Sequence, residues 1–208
     1  GINIFLNSEI EKIITNNNEV TGIETKKSEF YKADYLITNA DPIYTNTHLL
    51  SHKKISFHNK FVQKTAKHSM GLFVLFFGTK VKYKNIAHHT IWMGPRYKDL
   101  LHDIFDRYKL SEDFSIYLHR PTATDPDFAP IGCDSFYALV PVPNLKADIS
   151  WKDEVPKFTE SIIKALEQTM MPKLSENICE SFVMTPENFL HDYNTPFGSG
   201  FSIAPLFR

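Results

Sequence analysis

Cysteine and long apolar runs are both scarce in this sequence of 208 residues. Its two cysteines, Cys133 and Cys179, lie far apart and form no C-x-x-C pair, which argues against a disulfide framework and a cysteine-based zinc site. So little cysteine is typical of a reducing compartment. The longest apolar run, Met70 to Gly78, is about half of the ~18 residues that a spanning helix needs, so we predict no integral membrane segment.

Acidic residues are absent from residues 42 to 98, although the whole chain has a formal net charge of only −1. This stretch holds 10 basic residues, and two interpretations of it remain open. The lysines form an ordinary solvated face in the folded protein, or they attract an anionic membrane surface. The segment 52 to 67 suits the second interpretation because it mixes lysines with apolar side chains. The candidate membrane contacts are Lys53, Lys54, Lys60 and Lys64.

The common motifs of catalytic and metal sites are also missing. There is no G-x-G-x-x-G for a dinucleotide and no G-x-S-x-G for a nucleophilic serine. His88 and His89 look like a metal pair, but neighbours on a strand point to opposite faces, so we predict no metal site. Asp125 and Asp127 stand in a proline-rich loop, where a turn-forming role is favoured over acid–base chemistry. No catalytic residue is assigned.

Aromatic residues, by contrast, are common: 17 Phe, 9 Tyr and 2 Trp make up 13% of the chain. Of the five phenylalanines in the basic stretch, Phe57, Phe61, Phe73, Phe76 and Phe77, three fall in the apolar run from Met70 to Gly78 and not beside the lysines, so we expect no nucleic-acid partner. A large apolar ligand would use the surplus of rings, and a phenylalanine-rich core would use it equally well. Composition alone leaves these two uses open.

Hydrophobic periodicity indicates an α+β fold with a mainly antiparallel sheet and flanking helices. Residues 1 to 38 alternate apolar and polar positions around Asn16-Asn17-Asn18, which predicts a β-meander that ends in a buried strand at Tyr35-Leu36-Ile37. Met70 to Gly78 is predicted as a buried central strand, and Trp151 to Met170 as the longest helix. The strands and helices alternate without the regular rhythm of βαβ units.

Two groups of short segments resemble known proteins. The first group consists of Gly1 to Ile4, Asn7 to Ile13, Val20 to Ile23 and Ala33 to Pro42. The second consists of Leu72 to Gly78, Ala87 to Thr90, Gly94 to Tyr97, Asp103 to Phe105, Thr124 to Pro126, Ala129-Pro130, Gly132-Cys133, Leu139 to Leu145 and Phe182 to Phe189. The first group resembles the region of amine-oxidase-like flavoproteins that returns to the FAD domain. The second resembles the bacterial-type phytoene desaturases, which are FAD-dependent enzymes of carotenoid biosynthesis.

The resemblance implies that the chain is the middle-to-rear part of a longer oxidoreductase. Residues 1–41 would be an incomplete β-meander segment of an FAD-binding domain, and residues 42–208 a substrate-binding domain. The partner of this chain would then be the missing FAD-binding portion of the same polypeptide. Because the pyrophosphate-binding loop is absent, we expect the isolated chain to be inactive and to bind no FAD.

By the same resemblance, the full enzyme desaturates a long, phytoene-like carotenoid precursor by passing a hydride to FAD. The implied cofactor-binding residues are Ile10, Asn39, Ala40 and Asp41, of which Asp41 also stands where a residue would cap a helix. The implied walls of an apolar substrate tunnel are Phe73, Leu75, Phe77, Tyr117, Tyr137 and Phe201. The implied location is cytoplasmic and peripheral to the inner membrane, because the substrate must be taken from a bilayer.

The sequence departs from the family pattern at Ala204, which stands where an acidic residue is expected. Three alternatives remain open beside a phytoene desaturase: a C30 carotenoid desaturase, a carotenoid isomerase of the same superfamily, and a non-enzymatic lipid-binding module.

Overall fold

The computed structural model describes residues 1 to 50 and 66 to 204, which form two antiparallel sheets with flanking helices. The strands are β1 (Ile10–Asn16), β2 (Glu19–Thr25), β3 (Phe30–Lys32), β4 (Gly71–Thr79), β5 (His89–Trp92), β6 (Ile116–His119), β7 (Asp134–Val142) and β8 (Ile178–Met184). The α-helices are α1 (Pro42–Tyr44), α2 (Tyr97–Phe105), α3 (Trp151–Thr169), α4 (Leu174–Asn177) and α5 (Pro186–Tyr193), and a π-helical segment covers Thr45–Leu49. The predicted α+β class is confirmed. Within these two ranges no helix combines the length and apolarity that crossing a bilayer requires.

The first sheet is the predicted meander, with the strand order β1-β2-β3. Asn17 and Asn18 close the hairpin between β1 and β2 with φ angles of 47° and 71°. Tight hairpins between right-twisted strands favour two consecutive residues with positive φ, and asparagine tolerates this left-handed backbone conformation better than most residues. The short turn therefore follows directly from the local sequence.

The meander is shorter than predicted at both ends. Residues 1 to 5 and 36 to 39 have no regular structure, and Ile2 and Ile37 are 92% and 98% exposed. The prediction of a buried strand at Tyr35-Leu36-Ile37 is wrong for the described structure. An alternating segment becomes a strand only where a neighbouring strand accepts its backbone hydrogen bonds, and no described residue does so here.

The second sheet has five strands in the order β5-β6-β7-β4-β8, all antiparallel. β4 pairs with β7 along its whole length and with β8 along most of it. The prediction of a central strand in this region is confirmed, with a shift of one residue. The prediction of the longest helix is confirmed as well. α3 begins at the predicted Trp151 and ends at Thr169, one residue before the predicted end.

One face of this sheet, here called the inner face, packs against α3. Phe73 of β4 has no exposed surface, and its ring meets that of Phe158 at 4.9 Å in an edge-to-face arrangement. Phe158, Ile162 and Leu166 recur every four residues along α3, which places them on one side of the helix. This repeat is why the helix covers the sheet and forms the core with it.

A short helix begins at Asp41, as predicted. The Asp41 carboxylate accepts hydrogen bonds from the backbone N–H groups of Ile43 at 2.8 Å and Tyr44 at 3.0 Å. Pro42 occupies the first helical position, where its missing N–H is not needed. Leu50 then pairs with Ile13 of β1 through one parallel bridge, so this segment leads back to the first sheet. The domain boundary after residue 41 stays a prediction.

The carboxylate of Asp103 in α2 makes the stability of the fold depend on pH in the acid range. Its buried carboxylate accepts hydrogen bonds from Ser111 at 2.7 Å, Arg107 at 2.6 Å and Arg96 at 3.2 Å. These donors lower the pKa of Asp103 from 3.8 to about 2. Since the folded-state pKa is depressed, the carboxylate stabilises the fold above the unfolded pKa, and this contribution disappears as the pH falls towards 2.

We therefore expect Asp103→Asn to destabilise the protein at neutral pH and to differ progressively less from the wild type between about pH 4 and pH 2. The measurement is chemical unfolding of both proteins across this pH range, with the exposed Asp148→Asn as the matched control. A difference that stays constant down to pH 2 would refute the assigned role.

Candidate functional site

The second face of the five-stranded sheet, here called the open face, carries a row of aromatic side chains. Phe76 pairs with Tyr137 of β7 on one side and with Phe182 of β8 on the other. The rings of Phe76 and Phe182 stack at a centroid distance of 4.6 Å, and Tyr137 lies 5.6 Å from Phe76. Tyr117 of β6 continues the row at 5.8 Å from Tyr137. The rings form one surface because paired residues of neighbouring strands point to the same face.

Phe76, Tyr137 and Phe182 of this row line a groove of about 670 Å³. The loop after β6 supplies another part of the lining through Thr124, Asp125 and Phe128. Phe182 is 62% exposed and Phe128 is 61% exposed, so large apolar side chains face solvent in the described structure. A concave, mainly aromatic surface is typical of a site for an apolar ligand.

Three histidines meet at one end of the open face, with potential ligand atoms that all lie within 4.8 Å of one another. The Nε2 atoms of His88 and His119 are 2.8 Å apart. Nδ1 of His88 lies 2.5 Å from the Thr124 hydroxyl, and Nδ1 of His89 lies 2.6 Å from the Tyr117 hydroxyl. The sequence argument against a shared site does not hold, because His88 precedes β5 and its ring packs 4.4 Å from that of His89.

Burial changes the proton affinities of two groups in this region. Desolvation lowers the pKa of His119, and the neighbouring His88 and His89 lower it further. Desolvation, together with a hydrogen bond involving Tyr117, raises the pKa of Tyr137 to about 12. Both shifts favour the neutral form of these two side chains.

A second cavity, of about 400 Å³, lies beside the first sheet. Ile10, Asn39 and Ala40 line it together, so three of the four predicted cofactor residues share one cavity. Asp41 follows them in the chain, and its Oδ1 caps α1. Its Oδ2 is buried without a hydrogen-bond partner in the described part of the chain.

The six predicted tunnel residues do not share one surface. Tyr117 and Tyr137 lie on the open face, whereas Phe73 and Leu75 belong to the inner face and have no exposed surface. Phe77 stacks on Phe136 at 5.1 Å within the core, although it also borders the groove. Phe201 lies outside the sheet and is 57% exposed. The predicted membrane contacts Lys53, Lys54, Lys60 and Lys64 lie outside the described residues.

Sequence reasoning missed Phe76, Phe182 and the histidine cluster. Strand alternation does separate Phe76 from Phe73, but it does not tell which set faces α3. His89 and His119 meet because β5 and β6 pair antiparallel with these residues opposite each other. A predicted pairing of these two strands was the signal that could have found the cluster.

Comparison with solved structures defines the class of fold. No protein-family model matches the chain. The structure is similar to that of an oxidoreductase from Methanosarcina mazei, with a TM-score of 0.53 over 86% of this chain and 37% of that protein. At 15% identity this likeness concerns the fold alone.

Sequence relatives are more specific. A lycopene-forming phytoene desaturase from a Paracoccus species is 38% identical over 99% of this chain. A neurosporene-forming phytoene desaturase from Cereibacter sphaeroides is 42% identical over 96% of it. The chain is therefore a homologue of the phytoene desaturases over nearly its whole length, which confirms the resemblance seen in the sequence. It spans 41% and 39% of the length of these two relatives.

Proposed function

We propose that the protein containing this chain is an FAD-dependent desaturase of a long, phytoene-like isoprenoid, and that this chain supplies an apolar wall of the substrate site. The observation that carries the proposal is the similarity of nearly the whole chain to two phytoene desaturases. The aromatic groove on the open face supports it, because a polyene offers no polar group for recognition and binds mainly through buried apolar area.

The role of the groove is to bind, orient and desolvate the polyene. The stacked Phe76 and Phe182 and the adjacent Tyr137 present a continuous apolar surface across three strands. Each square ångström of apolar surface that leaves water contributes about 25 cal/mol, so a long chain gains affinity along its whole contact. Rings held on paired strands also lose little freedom on binding, which favours one orientation of the substrate.

FAD is the cofactor in this proposal, and the residues around the second cavity fit it. The buried Oδ2 of Asp41 has no donor among the described residues, and an unpaired buried carboxylate oxygen is costly. Asp41 directly follows Ala40, which lines the second cavity together with Ile10 and Asn39, and a dinucleotide hydroxyl or amide that reached Asp41 would supply that donor. When bound, FAD accepts the hydride that the substrate loses.

The exposed apolar residues of the first sheet region support a further part of the proposal, which is that another portion of the same polypeptide covers them. Ile2, Ile4, Leu6, Tyr35 and Ile37 are each at least 79% exposed. Such exposure is unfavourable in water, and both relatives are much longer than the chain. The proposed occupant is the FAD-binding portion.

The test is expression of the full-length protein in a bacterium that accumulates phytoene, followed by chromatography of the extracted carotenoids. We expect phytoene to be consumed and conjugated, coloured products to appear. Unchanged phytoene in cells that contain folded, flavin-loaded protein would overturn the proposal. A second host that makes the C30 precursor distinguishes the C30 desaturase, and a product with altered double-bond geometry but unchanged hydrogen content identifies an isomerase.

We also propose that the protein is cytoplasmic and docks on the inner membrane through the basic segment. Each lysine near an anionic leaflet contributes about 1 kcal/mol, and salt screens this attraction. The quadruple change of Lys53, Lys54, Lys60 and Lys64 to glutamine is therefore expected to weaken co-sedimentation with anionic liposomes at low salt. Changing Lys152, Lys157, Lys164 and Lys173 to glutamine is the control for the same loss of charge elsewhere. Equal binding by the two quadruple variants would refute docking through this segment.

A further inference from the structure

We propose that His88, His89 and His119 form a binding site for one divalent transition-metal ion of the zinc type. Nothing in the similarity to the relatives assigns a metal to these residues, and the inference does not depend on the desaturase activity. It rests on the geometry of three imidazoles that come from two different parts of the chain, the start of β5 and the end of β6.

The distances suit an ion with little rearrangement. Ligand nitrogens about 2.0–2.1 Å from a tetrahedral zinc ion lie roughly 3.3 Å from one another. The Nε2 atoms of His88 and His119 are 2.8 Å apart and would separate by about half an ångström to admit the ion. His89 is exposed, and it completes the set within the 4.8 Å that spans the cluster.

Two of the three rings already have the supporting contacts of metal ligands. A ligating histidine almost always uses its second nitrogen in a hydrogen bond that fixes the ring orientation. Nδ1 of His88 meets the Thr124 hydroxyl, and Nδ1 of His89 meets the Tyr117 hydroxyl. Both contacts leave Nε2 of the ring for the ion. Thr124 and Tyr117 therefore act as positioning residues.

His119 differs from the other two histidines in its hydrogen bonding. Its Nδ1 is buried and has no partner among the described residues. Its Nε2 faces that of His88, and such a pair needs a shared proton to avoid two facing lone pairs. An ion in place of this proton would bind both Nε2 atoms at once.

The ligand set selects the kind of ion. Three imidazoles without a thiolate suit zinc, copper or nickel, whereas magnesium and calcium prefer oxygen ligands. Three protein ligands leave a fourth tetrahedral position, as in zinc sites that keep a water molecule. His88 and His119 line the aromatic groove, so this position is accessible from it. Asp125 and Glu180 also line the groove.

The experiment uses the full-length protein after removal of metals with a chelator. It is titrated with Zn²⁺ by calorimetry and with Co²⁺ by visible absorption, which reports the coordination of the ion. We expect one ion per chain and a cobalt spectrum without thiolate charge-transfer bands. X-ray absorption of the zinc-loaded protein is expected to show only nitrogen and oxygen neighbours.

Variants locate the site. His89→Gln and His119→Gln are expected to weaken Zn²⁺ binding by about 100-fold, and Thr124→Val by roughly 10–100-fold through loss of ring positioning. His191→Gln, which removes an exposed histidine of α5 outside the cluster, is the control and leaves the affinity unchanged. Because His89 is exposed, its variant keeps the test valid even where His119→Gln fails to fold. Absence of stoichiometric binding by the wild type, or equal affinity of the wild type and His89→Gln, would overturn the proposal.

Discussion

Replacing Asp134 with alanine is expected to lower the free energy of unfolding by roughly 3–5 kcal/mol. Asp134 is 1% exposed and pairs with Arg120, which is 7% exposed. Arg120 donates to both carboxylate oxygens at 3.1 and 3.2 Å, and the Thr122 hydroxyl donates at 2.9 Å. The backbone N–H of Tyr83 adds a fourth hydrogen bond at 2.7 Å.

The expected loss of stability is large because Arg120 remains buried when Asp134 is removed. Without Asp134 the guanidinium of Arg120 stays buried beside the carbonyl of Ile86, with no negative charge to compensate it. The network also joins the loop before β5 to the loop after β6, which carry His88 and Thr124. We therefore expect the variant to lose the geometry of the histidine cluster together with stability.

Urea unfolding of the full-length wild type and of Asp134→Ala measures the difference in the free energy of unfolding. Glu154→Ala is the control, since it breaks the ion pair of Glu154 with Lys157 on the surface of α3, for which less than about 1 kcal/mol is expected. Similar losses in the two variants would contradict the assigned role of the buried pair.

The second large effect distinguishes the two faces of the five-stranded sheet. Phe73→Ala is expected to lower the free energy of unfolding by about 3–5 kcal/mol, because Phe73 is fully buried against Phe158 and Trp151. Phe182→Ala should cost less than about 1 kcal/mol, since its ring is 62% exposed and loses mainly the stacking on Phe76. Unfolding of both variants under the same conditions checks this order.

For binding of the proposed substrate, in contrast to stability, we expect the substitution of the exposed Phe182 to have the large effect. Phe182→Ala removes part of the groove wall, so we expect a higher KM for the polyene in the full-length enzyme while the protein remains folded. The conservative Phe182→Leu keeps most of the apolar area and should restore much of the affinity. If Phe182→Ala retains the wild-type KM, the open face is not the substrate wall.

Local patterns were sufficient for several elements of this fold. Alternation around Asn16-Asn17-Asn18 predicted the first hairpin, the helical spacing of apolar side chains predicted α3, and a short aromatic run predicted β4. Asp41 before Pro42 predicted a helix start. Each of these depends on neighbours in the chain, and such interactions are present in any tertiary context. The prediction of a strand at Tyr35-Leu36-Ile37 was wrong because a strand requires a neighbouring strand to pair with, and the local sequence pattern does not show whether one is present.

The sequence by itself determined the fold class, the central strand, the main helix and the homology to phytoene desaturases. The tertiary structure decided which face of the sheet is open. Alternation along β4 divides the strand into two apolar sets, and only the packing of α3 on Phe73 and Leu75 leaves Phe76 on the other side. Likewise, His88 and His119 stand 31 positions apart in the chain and meet because β5 pairs with β6. Contacts of this kind depend on register between distant strands, which no local pattern contains.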